Sequence, residues 1–210
     1  MRRAMRGDDV TPEELDQAID TVMRYRATHQ RPLVTANNGL RSMVRSERCQ
    51  VEVSQRLKRF PTILNKLVRE PTLPLSSMQD IAGVRAVLNS IDEVRRVEAR
   101  LKSNRPPVRY NDYIGTPRQS GYRGVHVVVE YGGRLVEVQL GTRVMHDWAV
   151  TVERLSGRVG ANLKQDGDHK LQALLSAISE AMAMEEIGIT VPDALLHRLS
   201  TLREDALPHL

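Results

Sequence analysis

The chain has 210 residues, with 31 Lys and Arg against 26 Asp and Glu, a formal net charge of +5, 3% aromatic residues and one cysteine. No apolar run approaches the ~20 residues that a membrane helix needs, and Gly7-Asp8-Asp9 follows the basic start where the apolar core of a signal peptide would stand. Cys49 alone permits neither an internal disulfide nor a cysteine zinc cluster, so the expectation is a cytoplasmic chain with no membrane attachment, one compact domain or a domain with a helical annex.

Thr11-Pro12-Glu13-Glu14 reads as a helix start, with a capping hydroxyl, proline in the first turn and acids beside the positive end of the helix dipole. Leu15, Ile19, Val22 and Met23 continue it at helical spacing, and Arg31-Pro32 is expected to end it. A second helix over residues 35–48 is interrupted in pattern by Asn37-Asn38-Gly39. Val51, Val53, Gln55 and Leu57 alternate with polar residues as a strand does, and residues 61–69 form a short helix with Ile63, Leu64, Leu67 and Val68 inward. Residues 71–77 are a loop, residues 81–88 a buried strand and residues 92–101 a helix. After a loop to Tyr122, residues 124–130 and 134–140 make a hairpin through Gly132-Gly133. Helices follow at about residues 144–155, 169–186 and 192–203, with a soft joint at residues 157–167. The order predicts an α+β, mixed α/β domain. Residues 1–50 form an N-terminal helical region, 51–157 the core and 158–210 a C-terminal helical region.

The charge is concentrated. Residues 51–123 hold 14 basic and 7 acidic residues, a net of +7, which leaves −2 for the rest of the chain. Such a segment suits phosphate, although a charge run is more often a solvated face, and 26 of the 31 basic residues are arginine, a bias that genome composition can produce. The scarcity of aromatics argues against a stacking platform for single-stranded nucleic acid.

If Gly132 and Gly133 are the turn, His126 opposes Gln139 and Val128 opposes Glu137, so that His126, Glu137 and Gln139 share a face. The long loop before the hairpin is dense in glycine, basic residues and tyrosine, a composition and length that point to function. Asp80 stands at the entry of the strand that carries Arg85, where its carboxylate, paired with Glu137, could share a hard cation with substrate phosphates. Arg56, Lys58, Arg59 and Lys66 surround a strand-to-helix junction with Thr62 near the helix N-terminus, a suitable place for phosphate.

Asp80-Ile-Ala-Gly-Val-Arg85, Asp112-Tyr-Ile-x-x-Pro-Arg-x-x-Gly-Tyr-Arg-x-x-His126, Glu137-Val-Gln139 and Met145-His-x-Trp-Ala149 resemble, in order and spacing, the RelA/SpoT alarmone synthetase domain over about residues 51–155. The string Arg56-x-Lys58-x-x-x-Thr62-x-x-x-Lys66 resembles that family's ATP-phosphate motif. The resemblance implies a nucleotidyltransferase-like mixed sheet and a pyrophosphokinase that passes the β,γ-diphosphate of ATP to a ribose 3′-hydroxyl. It implies Mg²⁺ on Asp80 and Glu137, with Glu137 also helping to deprotonate the acceptor. It places ATP phosphates on Arg56, Lys58, Thr62, Lys66 and Arg85. Tyr122 would stack on the acceptor base, Arg118 would meet acceptor phosphate, and His126 and Gln139 would orient groups nearby.

In flavour the chain is similar to small toxic members from actinobacteria and their phages, which implies the 3′-terminal adenosine of tRNA as acceptor and a block of translation. The alternative acceptors are GDP or GTP, giving (p)ppGpp, or adenosine nucleotides, giving (p)ppApp. Asn111, Ser120 and Gly141 depart from the family pattern, and Gly141 removes an arginine and its five donors. An alternative of another class is therefore an attenuated nucleotide- or RNA-binding relative in a toxin–antitoxin or phage-defence pair. No clustered hydrolase histidines stand beside the lone His146-Asp147 pair, so restraint would come from self-association into a homo-oligomer, low expression or a protein antitoxin. Residues 171–210, with a net charge of −4, could serve either form of association.

Overall fold

Thr11 starts the first helix through a reciprocal cap. Its hydroxyl accepts from the Glu14 N–H at 3.2 Å, and the Glu14 carboxylate accepts from the Thr11 N–H at 3.0 Å. The computed structural model describes residue 7, residues 9–160, residue 163 and residues 170–207. The basic start at residues 1–6, residues 161, 162 and 164–167 of the expected joint, His169 and His209 lie outside the described residues.

Helix α1 is Pro12–Ala27, and α2 is Gln30–Ser46. The expectation that Arg31-Pro32 ends a helix is corrected: Pro32 sits in the first turn of α2, where its missing N–H has no partner to lose. Asn37-Asn38-Gly39 does not break α2 either. Leu33, Ala36, Leu40, Met43 and Val44 are buried along it, and that packing outweighs the weak helical propensity of the three residues. Strand β1 is Glu52–Leu57, α3 is Phe60–Arg69, a 3₁₀ turn covers Leu75–Ser77, β2 is Ala82–Leu88 and α4 is Ile91–Asn104. Strand β3, Arg109–Asp112, was not legible in the sequence: it is short, mostly exposed and free of alternation. Strands β4, Val125–Tyr131, and β5, Arg134–Thr142, form the expected hairpin. Helices α5, Arg143–Val159, α6, Lys170–Glu186, and α7, Asp193–Ala206, follow. The strands make one mixed sheet in the order β1-β2-β5-β4-β3.

The chain divides into two compact units. The first comprises Met1–Ala86, Ala99–Tyr110 and Val127–Gln139, and the second Val87–Glu98, Asn111–His126 and Leu140–Leu210. In the first, α2 packs along β1, and Val22, Ile63, Leu67, Met78 and Ile81 make an apolar cluster with Tyr25 and Phe60 at its margin. Burial of Ile63 and Leu67 follows from their four-residue spacing on α3, Leu64 is half-buried at the margin of that stripe, and the expectation that Val68 faces inward is corrected, since it is exposed. Cys49 is buried, its thiol directed at the Glu47 carbonyl, as a small semi-apolar residue. In the second unit, α5, α6 and α7 pack together around Trp148, Val152, Leu163, Leu171, Leu175 and Ala206. The Trp148 indole N–H donates to the Leu175 carbonyl at 3.0 Å, which satisfies the one polar atom that the buried ring carries.

Gly132 and Gly133 both have positive φ, 56° and 73°, the requirement of the two-residue turn that matches strand twist. A β-carbon at Gly133 would meet nothing within 4 Å, so the demand there is conformational and not steric. Gly133→Val is expected to destabilise the fold by about 1–2 kcal/mol, seen as a lower urea midpoint with an unchanged slope; an unaltered midpoint would contradict the turn assignment.

Candidate functional site

The string that resembles the ATP-phosphate motif lies within the first unit. Lys58 follows β1, and Lys66 lies in the last turn of α3. Asp80 stands at the approach to β2, and both ammonium groups reach it, Lys58 Nζ to Oδ2 at 2.9 Å and Lys66 Nζ to Oδ1 at 3.0 Å. Burial alone would push the Asp80 carboxyl up, but the Lys58 and Lys66 ammonium groups outweigh it and hold the carboxyl below the ordinary carboxylate value. Lys58 is tied further through its backbone, whose N–H donates to the Ile81 carbonyl at 2.8 Å and whose carbonyl accepts from Arg26 Nε at 2.7 Å. Thr62 is half-buried in the first turn of α3. The N-cap there, Arg59, gives no side-chain cap, which leaves the helix end suited to an anion. Arg56 is exposed on β1.

Alternation along β5 puts Glu137 and Gln139 on one half-buried face, while Val136 and Val138 are buried. The side chains are linked in sequence. Arg85 Nε and Nη2 donate to Gln139 Oε1 at 3.1 and 2.6 Å, and Gln139 Nε2 donates to Glu137 Oε2 at 2.7 Å. Because a guanidinium can only donate, Arg85 fixes which end of the Gln139 amide is oxygen, and so directs its N–H toward Glu137. Gly83, two residues before Arg85, leaves this face open: a β-carbon there would lie 3.8 Å from the Glu137 carbonyl and 3.9 Å from that of Arg56. Arg85 and Gln139, which the resemblance assigns to opposite substrates, are partners of one another in the structure.

Arg118, Tyr122 and His126 belong to the second unit. The loop that carries Arg118 and Tyr122 and leads into β4, where His126 lies, is bonded within itself. Asp112 Oδ1 accepts from the N–H groups of Ile114 and Gly115 at 3.0 and 3.1 Å, and its Oδ2 meets Arg95 at 2.9 Å. Burial would push the Asp112 carboxyl up, but the Gly115 N–H, Arg95 and the Ile114 N–H outweigh it and hold it low. Tyr113 donates its N–H to the Gly124 carbonyl, Arg118 to that of Tyr122, and Gly121 to that of Arg118. The Tyr122 hydroxyl and His126 Nε2 share a hydrogen bond of 2.6 Å, and the Tyr113 ring stands edge-on to both rings. Arg118 donates to the Tyr113 hydroxyl at 2.8 Å, with its guanidinium carbon 4.5 Å from that ring's centre.

Two expectations change. Tyr122 packs against the apolar cluster of Trp148 and Leu175, so the loop's aromatic surface is shared with Tyr113, which the motif contains but whose role sequence reasoning did not identify. Ser120 is fully buried, so its difference from the family pattern is one of packing and not of a lost acceptor contact. Gly141 lies within β5 with no positive φ, and a β-carbon there would find Met145 at an ordinary 3.7 Å; the backbone is not specialised for glycine. The sequence also gave no signal for Ser179 and Glu186, which meet the loop from more than 50 residues away.

For a metal, no group of three or more His, Cys, Asp or Glu side chains is gathered among the described residues. The donors on offer are single carboxylates, Asp80 and Glu137. That set fits Mg²⁺, which commonly takes one or two protein carboxylates and completes its shell with phosphate and water, and does not fit zinc.

Known proteins resemble the chain in sequence and in fold. The family described as a region found in RelA / SpoT proteins matches residues 55–155. The GTP pyrophosphokinase YjbM of Bacillus subtilis (strain 168) is 32% identical over 155 residues, covering 68% of this chain and 74% of that protein. The crystal structure of small alarmone synthetase 1 from Bacillus subtilis superposes with a TM-score of 0.66 at 24% identity, over 90% of this chain and 99% of that one. The structure of the same synthetase bound to its product pppGpp gives 0.64 at 26%, over 91% and 99%. The mixed sheet flanked by helices, the ordered motifs and the extent of this likeness together place the chain in the RelA/SpoT family.

Proposed function

We propose that the chain is a pyrophosphokinase of the small alarmone synthetase kind, which transfers the β,γ-diphosphate of ATP to the 3′-hydroxyl of a guanosine nucleotide and releases AMP. The observation that carries this reading is a pair of side-chain groups, Lys58 and Lys66 gathered on Asp80, and Glu137 bonded by the Gln139 amide that Arg85 holds. Transfer of this type needs positioning and charge neutralisation more than covalent assistance.

In this reading Lys58, Lys66, Arg56 and the first turn of α3 with Thr62 bind the triphosphate. Asp80 and Glu137 would hold Mg²⁺, which supplies neutralisation of phosphate charge when bound. Glu137, kept as an acceptor by the Gln139 N–H, takes the proton from the ribose hydroxyl. Arg85 holds Gln139 in the orientation that this requires. On the acceptor side, Tyr122 and Tyr113 offer ring surface, Arg118 offers charge to phosphate, and His126 holds the Tyr122 hydroxyl.

The tRNA 3′-adenosine acceptor, and with it a toxin role and an antitoxin partner, rests on the basic middle of the chain and on Asn111 and Ser120. Burial of Ser120 removes part of that support. Several of the 14 cations of the middle are also paired with acids within the protein: Lys58 and Lys66 on Asp80, Arg95 on Glu98 and Asp112, and Arg123 on Glu186. The names of the similar proteins, GTP pyrophosphokinase and alarmone synthetase, favour the guanosine acceptor.

γ-Labelled ATP offered in parallel with GDP, GTP, adenosine nucleotides and tRNA is expected to label the guanosine nucleotides with matching release of AMP. Label in tRNA alone would replace the acceptor, and no transfer to any of them would support the non-catalytic binding relative. Glu137→Gln keeps the size of the side chain and the hydrogen-bonding site, and is expected to lower kcat by about 10²–10⁴-fold with an unchanged melting temperature. Undiminished turnover in that variant would remove Glu137 from the mechanism.

A further inference from the structure

The acceptor loop carries contacts that the reaction itself does not use. Helix α6, which lies outside residues 55–155, makes two polar contacts with it, beside the packing of Tyr122 against the cluster that holds Leu175. At the first, Gly121 turns with φ +87°, and its α-carbon lies so near the helix that a β-carbon would come within 2.7 Å of Ser176 Cα and 3.0 Å of Ser179 Cβ. The Gly121 carbonyl accepts from the Ser179 hydroxyl at 2.6 Å, with Ser179 buried. At the second, Arg123 Nη1 meets Glu186 Oε2 at 3.0 Å, the two side chains 8% and 7% exposed, and Thr142 donates its hydroxyl to the other Glu186 oxygen. An acid at the C-terminal end of a helix opposes the helix dipole, so Glu186 is held there by its partners on the loop and on β5 and not by the helix.

Tyr122 lies between these two points in sequence. Beside them the loop and helix are parted by a cavity of about 520 Å³ lined by Pro117, Arg118 and Gly121 on the loop side and Ser176, Ser179 and Ala183 on the helix side. The polar part of the clamp is therefore local: one hydrogen bond at Gly121, where the backbone also packs closely on Ser176, and one ion pair on Arg123, with open volume next to them.

We infer that Ser179 and Glu186 are positioning residues for the acceptor, setting the placement of Tyr122 and Arg118 through the backbone on either side of Tyr122. This rests on the pyrophosphokinase reading for its kinetic form but not for its structural form. A helix that fixes the loop acts on acceptor binding selectively, because the ATP-binding lysines and Asp80 are anchored to one another and not to α6.

The test uses the full chain with Ser179→Ala and, separately, Glu186→Gln. Both are expected to raise the KM for GDP or GTP about tenfold while the KM for ATP and kcat stay within about twofold, since a lost buried hydrogen bond is commonly worth about one such factor. Hydrogen exchange is expected to quicken about tenfold at the amides of Arg118 and Gly121 and not at residues 56–66. Parallel rises in both KM values, or a fall in kcat alone, would overturn the positioning role, as would unchanged exchange in the loop. If the unaltered protein transfers nothing to any acceptor, the pyrophosphokinase reading fails, and the exchange experiment still decides whether α6 holds the loop.

Discussion

Two ammonium groups set close together repel each other, and a fold that brings them together must hold a counter-charge between them. Asp80 is that counter-charge. Its two oxygens take Lys58 and Lys66 separately, at 2.9 and 3.0 Å, with the three side chains 12–25% exposed. At that depth the attraction is screened less than on an open surface, which is why the carboxyl is held low in spite of its burial. The end of β1, the body of α3 and the approach to β2 converge on this one residue. One carboxylate shared by two ammonium groups leaves the cluster a net positive charge, and in the proposed reaction the ammonium groups exchange it for phosphate.

The same economy recurs through the second unit. Asp112 takes two N–H groups of the loop and one arginine, Glu186 takes Arg123 and Thr142, and Arg118 lies against Tyr113. A loop rich in glycine and charge is thereby ordered by hydrogen bonds to its own start and to α6, without burying a large apolar surface of its own. Ordering in advance lowers the entropy that a ligand must offset on binding. Part of the long basic segment read from composition is thus matched within the protein, at Lys58, Lys66, Arg95 and Arg123.

Much of this was legible from residues. The helix start at Thr11, the hairpin at Gly132-Gly133, the inward pair Ile63 and Leu67 and the shared face of Glu137 and Gln139 follow from spacing and turn chemistry, which act over a few residues. The motif string located Asp80, Lys58 and Lys66 but not their mutual contact, because it is made across 14 and 22 residues of chain by tertiary packing. The direction of Arg85 toward Gln139 and the contacts of Ser179 and Glu186 were invisible for the same reason. Pro32 was misread because proline signals both an ending and a beginning of helices, and only the burial of α2 decides between them. Strand β3 carried no pattern because an exposed edge strand buries neither face.

The dual place of Asp80, partner of two lysines and candidate ligand of the cation, gives the most direct test. Isothermal titration of ATP in EDTA compares the unaltered protein with Asp80→Asn. If Asp80 holds Lys58 and Lys66 in store for phosphate, removing its charge releases both, and metal-free ATP binds the variant at least as tightly as the unaltered protein, by up to about tenfold more, while the advantage that Mg²⁺ confers on binding disappears. Metal-free ATP binding the variant markedly more weakly, with the Mg²⁺ advantage intact, would contradict the account.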